Sequence, residues 1–318
     1  MKSFLPLRPK LLAFSVAVCV TSIWLIGCAS DSDVASAVAT FQQASATLQQ
    51  AYQTLVNNAN QIEETKYIQD QAFDSKTLTL DAIKKADILT ADEIKLRQSA
   101  IKALSDYTTA LSTLAAGKSA ASIEADANTA SSSLKTLTTD LGTAMKAPSA
   151  KTTQIAGPIS SAVAAAGEVI DLIEKHKGVS EVKASLAKND PQVTVLFQAI
   201  QTESAALYDR QKSSSGATGD QLFADYNKAV EAKASSVELL ELSDRIKNYQ
   251  AGQSSLGSAD PVTAVAGFQK AHDALIKLVF APKDQKKQSL ADVIAAVKAF
   301  ASEVTPLAQD LEAFAKAV

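Results

Sequence analysis

Two histidines, two cysteines and 34 acidic side chains are what this 318-residue chain has for proton transfer, nucleophilic attack or metal binding. His176 stands in Glu174-Lys175-His176-Lys177, just before Gly178. Cationic side chains in a last turn interact favourably with the helix dipole. Glu174 and His176 also lack the three- or four-residue spacing that puts two metal ligands on one helix face. His272 falls among Val265, Phe268, Leu275 and Val279, an apolar series at three–four spacing. That predicts a core histidine hydrogen-bonded to a neighbouring helix. Thr138, among Leu134, Leu141 and Met145, is the second predicted buried polar position. Ala115-Ala116-Gly117-Lys118-Ser119 ends like a phosphate-binding loop, but Ser112 stands where its leading glycine is required. Gly117 reads as a helix stop instead. No Gly-x-Ser-x-Gly, His-Glu-x-x-His or Cys-x-x-Cys occurs. Glu63-Glu64 and Asp92-Glu93 read as solvated helix faces or complements of a helix dipole. The charged run from Lys283 to Lys287 is too short for nucleic-acid binding. The expectation is no catalytic residue, no metal, no cofactor and no enzyme.

The cysteines carry a different chemistry. Lys2, Arg8 and Lys10 precede an apolar run from Leu11 to Gly27, the pattern of an export signal. It closes on Leu25-Ile26-Gly27-Cys28: an aliphatic residue, a tolerated position, a small residue, then cysteine. These four residues resemble the lipobox of bacterial lipoproteins. The resemblance covers the signal alone and implies cleavage between Gly27 and Cys28, a diacylglycerol thioether on Cys28 and an acylated amino terminus. Several acyl chains anchor stably where one binds marginally. Cys19 follows Val18 and does not fit the pattern. Cleavage would remove Cys19, leaving one acylated cysteine and no disulfide within the chain. It would also remove three basic residues and no acid from a chain whose net charge is already −3, so anionic lipid surfaces would not attract the body. By resemblance to Gram-negative lipoproteins, Ala29 rather than aspartate after the cysteine points to the outer membrane.

Whatever the chain does must then be positioned by helices. Only 8 prolines and 11 glycines interrupt 318 residues, and no stretch beyond residue 33 alternates convincingly with period two. Leu290, Val293, Val297, Phe300, Val304, Leu307, Leu311, Phe314 and Val318 step by three and four without a miss; Pro306 should bend or split that helix. Val34, Val38, Phe41, Ser45, Leu48, Tyr52, Leu55, Ala59 and Ile62 form a similar stripe. Thr90 with Glu93 and Thr218 with Gln221 have capping-box spacing. Asp190-Pro191 and Asp260-Pro261 read as an N-cap followed by proline at the first helical position. Gly117, Gly178 and Gly252 read as stops, and the run from Ser213 to Gly216 as a flexible loop.

Phe41-Gln42 with Tyr52 recurs as Phe197-Gln198 with Tyr208, and Leu104-Ser105-Asp106 as Leu242-Ser243-Asp244. Ala147-Pro148 recurs as Ala281-Pro282. The common order suggests a duplication with an insertion near 76–89. The expected fold is therefore all-α: an elongated antiparallel helical bundle in two tandem four-helix units. The expected divisions are a cleaved signal (1–27), a lipid-anchored tether (28–33), helical units at 34–178 and 189–318, and a linker (179–188). The expected function is a non-catalytic, lipid-anchored envelope module that binds or scaffolds. Its expected partners are the membrane, through the anchor, and an envelope protein or further copies of itself. Two alternatives stand beside it. The small apolar stretch from Gly157 to Gly167 would suit a membrane-active long-helix protein, and a pocket between helices would suit a small-ligand carrier.

Overall fold

The computed structural model describes residues 31–317 except Ser75, His176, Lys177, Gly178, Ala259 and Lys283. Among these residues there are nine helices and no strand: α1 (Asp31–Phe73), α2 (Leu80–Lys84), α3 (Ala91–Ala115), α4 (Ala120–Ala144), α5 (Ala150–Glu174), α6 (Val179–Glu231), α7 (Ser236–Ser258), α8 (Pro261–Phe280) and α9 (Lys286–Ala317). Eight are long, and α2 is a single turn inside the segment read as an insertion. Short polar side chains start many of them. Thr90 and Glu93 form a reciprocal capping box at α3, Ser119 and Ser149 cap α4 and α5, and Asp260 caps α8 with Pro261 at its first position. Gly117 ends α3 at φ 64°, with the N–H of Lys118 donating to the Thr113 carbonyl and its own N–H to Leu114.

The apolar stripes of α1 and α9 are buried as their spacing predicts, from Val38 to Ile62 and from Leu290 to Phe314. Pro306 lies within α9 without splitting it. Side chains from α1, α3, α4, α5, α6, α8 and α9 merge into one continuous core. At its centre Phe268 stacks on Phe300 (5.4 Å between ring centroids), meets Phe197 edge-on (5.0 Å) and lies 5.7 Å from Phe41.

Contacts fix the directions. Glu168 meets Lys188, so α5 and α6 are antiparallel with Lys151 facing the turn around Glu203. Tyr52 meets Glu203 and Glu63 meets Arg210, so α1 runs alongside α6 in the same direction. Gln253 donates to Ser215, and His272 meets Asp190, so α7 and then α8 both run back along α6. The two do not pack on each other. They follow one another as a single interrupted rod.

This order corrects several expectations. Four long helices do lie on either side of Lys175–Val179, but the first set reverses direction at every step and the second does not. α3 packs along α4, whereas α7 and α8 are end to end, so the packing order does not repeat and both sets share one core. The supposed linker 179–188 is the opening of α6, and Asp31 to Asp33 of the supposed tether already belong to α1. Asp190-Pro191, the Ser213–Gly216 run and Thr218 all lie inside α6, and Gly252 lies inside α7. The side chains that looked like breakers are used across helices: Ser214 donates to Glu63, and Ser215 accepts from Gln253. Those two therefore do not compete for their own backbone, whereas the Thr218 hydroxyl donates to the Ser214 carbonyl one turn back.

Candidate functional site

A groove of about 520 Å³ lies between the first half of α5 and the middle of α6. Lys151, Ile155 and Pro158 form one wall at four- and three-residue spacing. Val195, Ala199 and Ala206 line the other. Alanines on α6 are too short to fill the space opposite Ile155, which leaves the groove open. Pro158 has no N–H to give the carbonyl of Gln154, another lining residue. The volume falls within the roughly 300–1,000 Å³ of small-molecule sites.

A buried ionic cluster forms the charged end. Arg97 of α3 is fully buried, and its Nη2 and Nε both donate to Oε1 of Glu203, the latter at 2.8 Å. Its Nη1 donates to the Glu93 carbonyl at 2.8 Å. Tyr52 donates to Oε2 of Glu203 at 3.2 Å. Burial, then the Glu203 charge, pushes the Tyr52 phenol well above its ordinary range. Glu93 is itself buried, and its carboxylate accepts from the backbone N–H groups of Thr90 and Ser149 and from the Thr152 hydroxyl. Burial works to raise its pKa, but the bonds from Ser149, Thr152 and Thr90 prevail and lower it to about 2. Lys151 makes no ion pair among the described residues, and burial together with the nearby Arg210 charge lowers its pKa.

The predicted core histidine has a partner the sequence did not name. His272 is fully buried, with Nε2 2.8 Å from Oδ1 of Asp190 and Nδ1 3.3 Å from the Thr108 hydroxyl. The Asp190 carboxylate therefore serves α8 rather than capping α6. Thr138 does not match it: the residue is exposed on α4 and donates to the Leu134 carbonyl. The buried polar residues of α4 are Ser133 and Asp140, one face away, with Asp140 accepting from Ser99 at 2.5 Å. Gly27, Cys28 and His176 lie outside the described residues.

Asp92 and Glu93 do stand in the first turn of α3 as dipole complements, but the reading of the acidic pairs as solvated faces needs correcting. Glu93 is buried, and Glu63 is not simply solvated: Arg210 donates to both of its oxygens, at 2.8 and 2.9 Å, tying α1 to α6. Arg97, Glu203 and Lys151 escaped sequence reasoning, and Tyr52 was read only as a member of the α1 stripe and of the repeat. Arg97 offered a signal, since it occupies the inward stripe of α3 among Leu96, Ala100, Ile101 and Leu104.

Among the described residues, no three histidine, cysteine, aspartate or glutamate side chains gather as a metal site. α5 is long and apolar enough to cross a membrane by length and composition, while Ile155, Ile159, Ala162, Val169 and Ile173 are buried in the bundle. Comparison with protein-family models, curated proteins and solved structures finds no match to this chain.

Proposed function

We propose that the protein is a non-catalytic, lipid-anchored module of the cell envelope that holds binding surfaces away from the bilayer. The observation that carries this reading is the helical state of Asp31, three residues past the lipobox cysteine. α1 runs from there along the bundle, so a lipid on Cys28 would be mounted on the folded body almost without slack. α6 alone spans ~80 Å at 1.5 Å per residue. Because α1 and α6 run the same way, the α6–α7 turn lies at the end opposite Asp31. There Phe223, Val230, Val237 and Leu240 are exposed, which supports the partner-binding part of the proposal.

Fractionation and mass spectrometry of the exported protein test it. The wild type should sediment with membranes and carry a diacylglyceryl group on Cys28, and Cys28→Ser should appear in the soluble fraction. An unmodified Cys28 thiol, or a serine variant that still sediments, would refute the anchor.

A further inference from the structure

We infer that the α5–α6 groove is a binding site for an anionic single-chain amphiphile, specifically a free fatty acid whose carboxylate pairs with Lys151. The inference goes beyond the anchoring proposal and does not depend on it.

Charge is the first support. The cations at this end of the groove are Lys151, Arg97 and Arg210; the acids are Glu203, Glu63 and, against the first turn of α5, Glu93. Arg97 is paired with Glu203 and Arg210 with Glu63, so these two acids are already neutralised, while neutral donors hold Glu93. Glu203 is the one acid lining the groove, and Arg97 and Tyr52 engage both of its oxygens. Glu93 offsets the dipole at the start of α5, and Lys151 lines the groove with no ion pair among the described residues. Gln154 and Gln198 line the same groove and can donate to a carboxylate.

Shape is the second. From Lys151 and Leu207 the groove runs toward Pro158 and Val195, and its lining turns apolar with Ile155 and Ala199. The α6 side, from Val195 to Leu207, is ~18 Å long. Val195 stands 45% exposed although it faces Pro158 across the groove, an apolar surface without a neighbour to cover it. A compact anionic head followed by an acyl chain matches this sequence of surfaces. A bulky phosphate head would need more donors than one lysine and two carboxamides.

The test uses the non-acylated body from residue 29 onward, which contains the nine helices found among the described residues. Titration with the fluorescent fatty acid cis-parinaric acid should saturate at one site, and its methyl ester should bind roughly ten- to hundredfold more weakly, the loss of one charge-assisted hydrogen bond. Lys151→Met should weaken the acid to the level of the ester and leave the ester unchanged. Ala199→Trp should abolish both; Ala206→Trp, at an exposed position, gives the same reading should the first fail to fold by circular dichroism. Displacement by oleate but not by lysophosphatidylglycerol is expected. Non-saturating binding, equal affinity for acid and ester, or preference for the lysophospholipid would overturn the assignment. So would a dimer in sedimentation that Ala199→Trp dissociates, which would make the groove an interface between copies.

Discussion

Glu93 and Arg97 sit one turn apart in α3, both out of water, and they meet the cost of burial differently. Glu93 gathers neutral donors from two helix starts, its own and that of α5. A carboxyl whose pKa falls on folding stabilises the fold above its unfolded value near 4.5 and gives that stability up as pH drops toward about 2. Urea titrations at pH 6 and pH 2.5 should therefore differ by about 2–3 kcal/mol at this residue, a difference that Glu93→Gln removes. Arg97 instead needs one counter-ion. Arg97→Met would strand the Glu203 charge, so a loss of about 3 kcal/mol is expected, largely recovered in the Arg97→Met/Glu203→Gln double variant. Equal stability of the two variants would mean that the pair contributes only packing. His272 follows the same logic: His272→Leu should cost about 2–3 kcal/mol through an unpaired Asp190, and Asp190→Asn should soften that cost. Circular dichroism on the same variants checks that the fold is retained.

The ends of α3 and α6 are built alike and differ by one residue. At Gly117 and at Lys233 the chain takes a positive φ, 64° and 57°, and the same pair of backbone bonds closes each helix. At α6 the N–H of Ala234 donates to the Ala229 carbonyl and that of Lys233 to Val230. Glycine enters this region freely and lysine does not, so Lys233→Gly should stabilise the protein by about 1 kcal/mol and Gly117→Ala destabilise it by a similar amount. Thermal or urea midpoints read both; shifts of the same sign would contradict the argument. The contrast also shows what was legible in the sequence. The α3 stop could be read because it uses glycine, and the end of α6 could not because it uses lysine. The stripes of α1 and α9 were readable because one face of each does all the burying. α6 was misread as two helices with a linker because Pro191 and its serines favour breaks locally, while α1, α5, α7 and α8 all pack on it and hold it as one helix. The groove could not be read at all. It arises from where two antiparallel helices meet, which no single stripe encodes.

For the molecule as a whole, the consequence is one folding unit with one loose end. Helices on both sides of Lys175–Val179 contribute to the same core, and Phe41, Phe197, Phe268 and Phe300 meet in it. Neither set of four can lose its structure without exposing the other, so the main urea transition should be single and seen alike by far-ultraviolet dichroism and tyrosine fluorescence. Two separated transitions would restore tandem independent units. The α6–α7 end stands apart from this. Past the small cluster of Ile62, Leu256 and Phe314, α6 and α7 pack on each other, with Thr65 and Gln69 of α1 beside Leu222 and Arg245. Tyr249 packs over Gly219, but Val237 and Leu240 are 76% and 65% exposed. Opening there uncovers little further apolar surface, so its cost is small. Native-state hydrogen exchange should find amides of 224–245 opening several kcal/mol below the global unfolding energy, while those of α8, with Phe268 and His272 at the centre of the core, exchange only through global unfolding. Equal protection in the two segments would show that the hairpin end is held by contacts beyond those within this chain.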